Sequence, residues 1–280
     1  MRGRTNYLLL LSFISANLCG CIKSSSEQEN LNAVLWIQTS SEYAATAIGT
    51  YAAATAALQR TVTTDVTGID RMAVVMDLDE TVFDNSRYKA QEVLTSVRKQ
   101  DETWDQWIAL REANAVPGAV DFIRASQDLG VSVLFITNRR CRERADTLGD
   151  CPQKEDTLVN LQQLGIEIGR RALFLRSEQV PDRCLSFLSE SEHEQGRWTA
   201  SDKTSRRQCV GLDYDIVMLV GDQLGDFIGG PGQSTLVSRD ELLRQYEEKW
   251  GNTWFMIPNP TYGAWLRLLH PDKRAHLRGM

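Results

Sequence analysis

Long apolar runs are nearly missing from this sequence. The one that comes close, Tyr7–Leu18 (YLLLLSFISANL), is too short to span a bilayer comfortably. Positive charge is not in excess either. With 31 Lys and Arg against 37 Asp and Glu, the formal charge is −6. That excludes the basic surface a nucleic-acid polymer requires, and it leaves any phosphate dependent on local positive groups. Histidine is scarce, and His193, His270 and His276 all stand away from the acidic motifs described below. No cysteine spacing resembles a zinc site. There is no Walker loop and no glycine-rich turn after the first apolar run, so nucleoside-triphosphate and dinucleotide folds are poor readings.

The first residues read as an export signal. Arg2 and Arg4 precede the apolar run, which closes on Leu18-Cys19-Gly20-Cys21. This resembles a bacterial lipobox, in which the leader (1–20) is cut before Cys21 and that cysteine carries lipid. The polar stretch 21–30 then serves as a tether, and 31–280 forms the folded domain. Ile22 is not an aspartate retention signal, so the expected destination is the outer membrane, facing periplasm or surface. Cys141, Cys151, Cys184 and Cys209 remain for an oxidising compartment. Three connectivities fit four cysteines, of which Cys141–Cys151 is the most local.

Residues 31–62 contain no proline and are rich in alanine, and their apolar positions recur at helical spacing, with a break and recap near Ser40. Four short apolar runs follow: MAVVM (72–76), VSVLFI (131–136), ALFL (172–175) and DIVMLV (215–220). They alternate with helical stretches, one of them opened by Pro117 and closed by Gly130. WFMIP (254–258) reads as a fifth strand. This pattern predicts a doubly wound α/β domain, its parallel sheet buried on both faces. About fifty residues separate the first two runs, more than one crossover helix needs, which points to a small helical cap near 84–116. The charged stretch 177–202 reads as an inserted lid or a surface excursion.

In such a sheet, ligands bind at the carboxyl ends of the strands, so the residues leaving each run carry the chemistry. The first run ends in Asp77 and Asp79, the second in Thr137-Asn138-Arg139, the fourth in GDQLGDF with Asp222 and Asp226. Buried unpaired carboxylates are costly, so these four need a cation. Oxygen-only ligands favour Mg²⁺ over a soft metal.

Taken in order, DLDETVFDNS, AVPGAV, ITNR, GDQLGDF and IPNPTYGAW resemble the haloacid-dehalogenase-like (HAD) phosphatase superfamily. Within it they are most similar to class C acid phosphatases, in particular the lipoprotein e type of bacterial 5'-nucleotidase. The resemblance implies a HAD-like core and Mg²⁺-dependent hydrolysis of small phosphomonoesters, nucleoside 5'-monophosphates above all. Asp77 would be the nucleophile and Asp79 the general acid and base. The metal would be held by the Asp77 carboxylate, the Asp79 backbone carbonyl and Asp222, supported by Asp226. Thr137 and Asn138 would bond phosphate oxygens, and Lys203 would supply the phosphate-binding cation, with Arg206 the alternative. Tyr262 stands where the family places a base-stacking aromatic, or else seals the core. Trp104 and Trp107 pack the cap or line the pocket. A non-catalytic storage protein on the same fold and a phosphotransferase are the competing functional readings.

Overall fold

The computed structural model describes residues 26–65, 68–95, 100–145, 147, 149, 151–230 and 235–279. The expected leader and Cys21 lie outside the described residues. Two helices open the fold, α1 (Ser26–Thr39) and α2 (Ser41–Thr64). Ser40 separates them: its backbone is extended and its Oγ accepts the Tyr43 amide at 3.0 Å, a side-chain N-cap. Because α1 starts at Ser26, the second half of the expected tether is helical. Tyr43, Ala47, Tyr51, Ala54, Leu58 and Val62 form the buried stripe of α2, at the three- and four-residue spacing of one helix face.

Five strands form one parallel sheet: β1 (Met72–Met76), β4 (Ser132–Arg140), β5 (Leu173–Arg176), β6 (Asp215–Gly221) and β7 (Trp254–Met256), in the order β5-β4-β1-β6-β7. Alternate side chains of each strand enter two separate cores. Val74, Met76, Val133, Phe135, Met218 and Val220 pack toward α2 and α5 (Ala119–Asp128). Ala73, Val75, Leu134, Ile136 and Leu219 pack on the other face with Val180, Trp198, Cys209 and Val210. Every strand is therefore apolar on both sides, which explains the unbroken apolar runs. From central β1 the chain builds outward through β4 and β5, then returns to add β6 and β7. The strand order thus reverses beside β1, making the crevice at the ends of β1 and β6 the ligand-binding point of this topology.

Between β1 and β4 the chain makes an antiparallel ribbon, β2 (Phe83–Asp84) with β3 (Asn114–Ala115). It frames two helices, α3 (Ser86–Thr95) and α4 (Asp101–Leu110). The helix expected to open at Pro117 begins instead at Ala119, with Gly118 as its cap at φ +88°. A Cβ there would lie 3.2 Å from Ile48 Cα and from Tyr51, so glycine also permits the close approach of α2.

The remaining helices are α6 (Pro152–Gln163), α7 (Glu190–Gln195), α8 (Thr204–Val210), α9 (Leu236–Gln245) and α10 (Ala264–Arg267). The stretch 177–202 contains α7 and is tied down. Ser177 N–H donates to the Trp198 carbonyl at 2.7 Å, Trp198 is buried against Phe174, and a Cys184–Cys209 disulfide joins the stretch to α8. It covers one face of the sheet, and its last residues, Ser201 and Asp202, reach the crevice at the strand ends. The second disulfide is Cys141–Cys151.

Candidate active site

The strand ends bring three carboxylates together. Asp77 follows β1, Asp222 follows β6, and Asp226 ends the short turn Leu224–Asp226; each places an oxygen within 4.8 Å of the others. The turn is built for this. Asp226 Oδ2 accepts the amides of Asp222 (3.1 Å) and Gln223 (2.9 Å), folding its carboxylate back over Gly221. A Cβ on residue 221 would fall 2.4 Å from Asp226 Cβ, so glycine is required by close approach. Asn259 Nδ2 donates to Asp222 Oδ2 at 2.7 Å, and its own Oδ1 accepts the Thr261 amide and hydroxyl, which fixes the amide's orientation.

Lys203, at the start of α8, is buried with its ammonium between two of these groups. It donates to Asp77 Oδ1 and, at 2.6 Å, to Asp226 Oδ1. Burial alone would lower the affinity of this amine for its proton; Asp226 and Asp77 outweigh it and hold the pKa above the ordinary lysine value. Three carboxylates against one ammonium leave two negative charges in a buried space, and the acids respond. Burial pushes Asp77 up to about 7, against the pull of Lys203 and with the push of Asp226 and Asp79. Burial, then Asp226 and Asp77, drive Asp222 well above the usual carboxylate range. Asp79 stands apart from this cluster. Arg139 grips it through Nε (3.0 and 3.1 Å) and Nη2 (2.7 Å), and Asn85 Nδ2 adds a bond at 3.0 Å.

The other predicted residues fall into two groups. Asn138, Lys203 and Tyr262 line the cavity of about 420 Å³ over the carboxylates, together with Asp77, Asp79 and Asp226. Asn138 is also braced: Nδ2 donates to the Ser201 carbonyl (3.0 Å) and Oδ1 accepts from Arg206 (2.9 Å). Thr137 is fully buried beneath the cavity wall, its Oγ1 accepting the Arg139 amide at 3.1 Å. Arg206, the alternative cation, spends its guanidinium on the Thr137 carbonyl (2.6 Å) and Asn138, so it holds the end of β4 and leaves the carboxylates to Lys203. Tyr262 donates its hydroxyl to Glu80, and Lys89 Nζ lies 4.7 Å from its ring centre. Of the two cap tryptophans, Trp104 lines the cavity, whereas Trp107 is buried and donates to Asn85. Arg139 itself carried no role in the sequence reading. Its partner Asp79 is sixty residues earlier, so the only available signal was its place beside Thr137 and Asn138 at a strand end.

A family model described as "HAD superfamily, subfamily IIIB (Acid phosphatase)" matches residues 10–265. The chain belongs to this acid phosphatase family. Two solved structures agree with the assignment. The class C acid phosphatase from Bacillus anthracis with tungstate bound shares 26% identity at TM-score 0.74, over 92% of this chain and all of that one. A second structure of the class C acid phosphatase from Bacillus anthracis gives 27% and 0.73, over 91% and 98%. This acid phosphatase is accordingly a phosphomonoester hydrolase on a HAD-like fold.

Its donor set also fits a divalent metal. HAD phosphatases generally use one, and Asp77, Asp222 and Asp226 present hard oxygen ligands close together, three carboxyl groups to the single ammonium of Lys203. Histidine and cysteine ligands are absent from the cluster, which disfavours a soft ion.

Proposed function

We propose that the phosphatase hydrolyses nucleoside 5'-monophosphates in a Mg²⁺-dependent reaction through an aspartyl-phosphate on Asp77. The observation that carries this is the pairing of a buried Asp77 with Lys203 inside a three-carboxylate cluster, at the strand ends where the topology opens its crevice. The Asp77 side chain attacks phosphorus in line as the bond to the leaving oxygen breaks, and water later frees the phosphate from the aspartyl ester. Asp79 lines the same cavity. It gives a proton to the departing oxygen and takes one from the attacking water, while Arg139 and Asn85 hold it in position. Lys203 neutralises the incoming phosphoryl group next to the nucleophile. Mg²⁺ would be held by Asp77, Asp222, Asp226 and the Asp79 backbone carbonyl, and it would stabilise charge on the phosphoryl oxygens. Tungstate in the Bacillus anthracis relative supports a site for a tetrahedral oxyanion.

Tyr262 and Trp104 place two aromatic side chains on the cavity wall, suited to a nucleobase. Lys89 meets the Tyr262 ring, and the cavity borders the same side chain. We also propose that Cys21 anchors the exported protein to the outer membrane by lipid. The test of the enzymatic reading is phosphate release from a panel of monoesters, with EDTA and after Mg²⁺ is restored. Nucleoside 5'-monophosphates should be turned over most efficiently, and chelation should stop the reaction reversibly. Full activity in EDTA, or no advantage for nucleotides over simple alkyl phosphates, would reject it.

A further inference from the structure

Beside the catalytic cavity lies a second cavity of about 190 Å³, lined by Arg140, Arg142, Arg176, Asp101, Asp105 and Ile108. It shares Trp104 and Asn138 with the first, so the two are contiguous. Its position follows from the sheet. Arg140 ends β4 and Arg176 ends β5, and the two are register partners on neighbouring strands. Like charges set side by side on adjacent strands destabilise a sheet, and this pair sits at the carboxyl edge where the topology receives ligands. Arg142 follows two residues later on a segment fastened at Cys141 by the Cys141–Cys151 disulfide.

The cavity's carboxylates do not balance these arginines. Asp101 meets both Arg142 and Arg140, the latter at 3.5 Å. Asp105 is engaged by Arg144 at 2.5 Å, and Arg144 is shared in turn with Asp156, which Arg111 also binds. The lining itself thus sets three arginines against two aspartates, and one of these, Asp105, is already held by Arg144. Arg176 itself donates through Nε to the Thr199 carbonyl at 2.6 Å. Its guanidinium is held less firmly protonated than usual, first by burial and then by Arg140. In a chain whose net charge is −6, this is a local concentration of positive charge with room for several water molecules (~30 Å³ each). Guanidinium forks match phosphate oxygens in pairs, the geometry of strong anion recognition.

We propose that this cavity is a second anion subsite, binding a further phosphate group of the substrate whose first phosphate is attacked by Asp77. The favoured class is a bisphosphorylated small molecule, such as a nucleoside 3',5'-bisphosphate, in preference to the simple monoester. This rests on the nucleotide reading above, and the experiment separates the two.

The measurement is kcat/KM for adenosine 5'-monophosphate and adenosine 3',5'-bisphosphate, following first-phosphate release by the full chain with Mg²⁺. The parent should favour the bisphosphate by tenfold or more. In Arg140→Gln/Arg176→Gln the ratio should fall to within about twofold of one, with monophosphate turnover kept within twofold, which also certifies the fold. Asp101→Asn removes a competing carboxylate and should raise the ratio several-fold. A parent ratio near one, or a high ratio that these variants leave unchanged, overturns the subsite. If adenosine monophosphate is not turned over while para-nitrophenyl phosphate is, the nucleotide reading fails. The pair glucose 6-phosphate and glucose 1,6-bisphosphate then decides the subsite by the same ratios.

Discussion

Replacing Lys203 with methionine should move metal binding, turnover and stability in different directions. The ammonium donates to Asp77 and Asp226, two of the three carboxylates that would ligate the metal. Lys203 and a divalent ion therefore share the same carboxylates and repel each other. At an effective dielectric near 20, a +1 and a +2 charge about 5 Å apart repel by roughly 6–7 kcal/mol. Relaxation of the side chain and residual solvent reduce that figure, but the sign holds: Lys203→Met should bind Mg²⁺ about ten- to a hundredfold more tightly. Turnover should fall by roughly 10²–10³, the usual cost of removing one preorganised donor to developing charge.

Without metal, the variant leaves three buried carboxylates with no ammonium. Breaking such a buried pair costs about 3–5 kcal/mol, or roughly 6–20 °C in Tm for a domain of this size. With saturating Mg²⁺ most of that loss should disappear. Titration calorimetry, para-nitrophenyl phosphate kinetics and thermal melts with EDTA or Mg²⁺ measure the three effects. Weaker metal binding in the variant, or the same Tm loss in both conditions, would refute the placement of metal and lysine on shared carboxylates.

Asp77 takes up protons on folding, its pKa rising from 3.8 to about 7. Its contribution to stability is therefore greatest below pH 4 and is lost as pH rises through 7. In EDTA the Tm should increase from pH 7.5 to 5.5. Asp77→Asn should weaken that dependence and abolish turnover while the protein still folds; turnover within tenfold of the parent would move the nucleophile elsewhere. Tyr262→Ala should reduce kcat/KM on nucleotides by roughly five- to hundredfold, since stacking is worth about 1–3 kcal/mol per base, and should spare a small alkyl phosphate. Equal losses on both would make Tyr262 a structural residue. Cys21→Ala should eliminate fatty-acid labelling in a bacterial host, and persistent labelling would reject the lipid anchor.

Strand ends were legible because their signal is local. An apolar run that stops at an aspartate reports both burial and a functional edge, so Asp77, Asp79, Asp222 and Asp226 could be selected without coordinates. The doubly wound architecture followed from the same runs, since a parallel sheet covered on both faces cannot alternate polar and apolar residues. Three-dimensional neighbours were not legible. Lys203 and Arg206 are one helical turn apart in a basic stretch, and nothing local tells which faces the carboxylates. The packing of α8 sends Lys203 to Asp77 and Arg206 to the end of β4. Arg139 acquires its role only when β4 pairs with β1 and brings Asp79 within reach. The charged stretch 177–202 hides its anchors, Trp198 and Cys184, among polar residues, so its fixed position under the sheet emerges only from burial and the disulfide. Sequence by itself determined the strands, their order of appearance and the acidic residues at their ends, because those depend on each residue's near neighbours along the chain. Tertiary structure decided which carboxylates share a cation, which basic group faces them and where arginines crowd together, because those depend on side chains distant along the chain, such as Asp77 and Lys203, 126 positions apart.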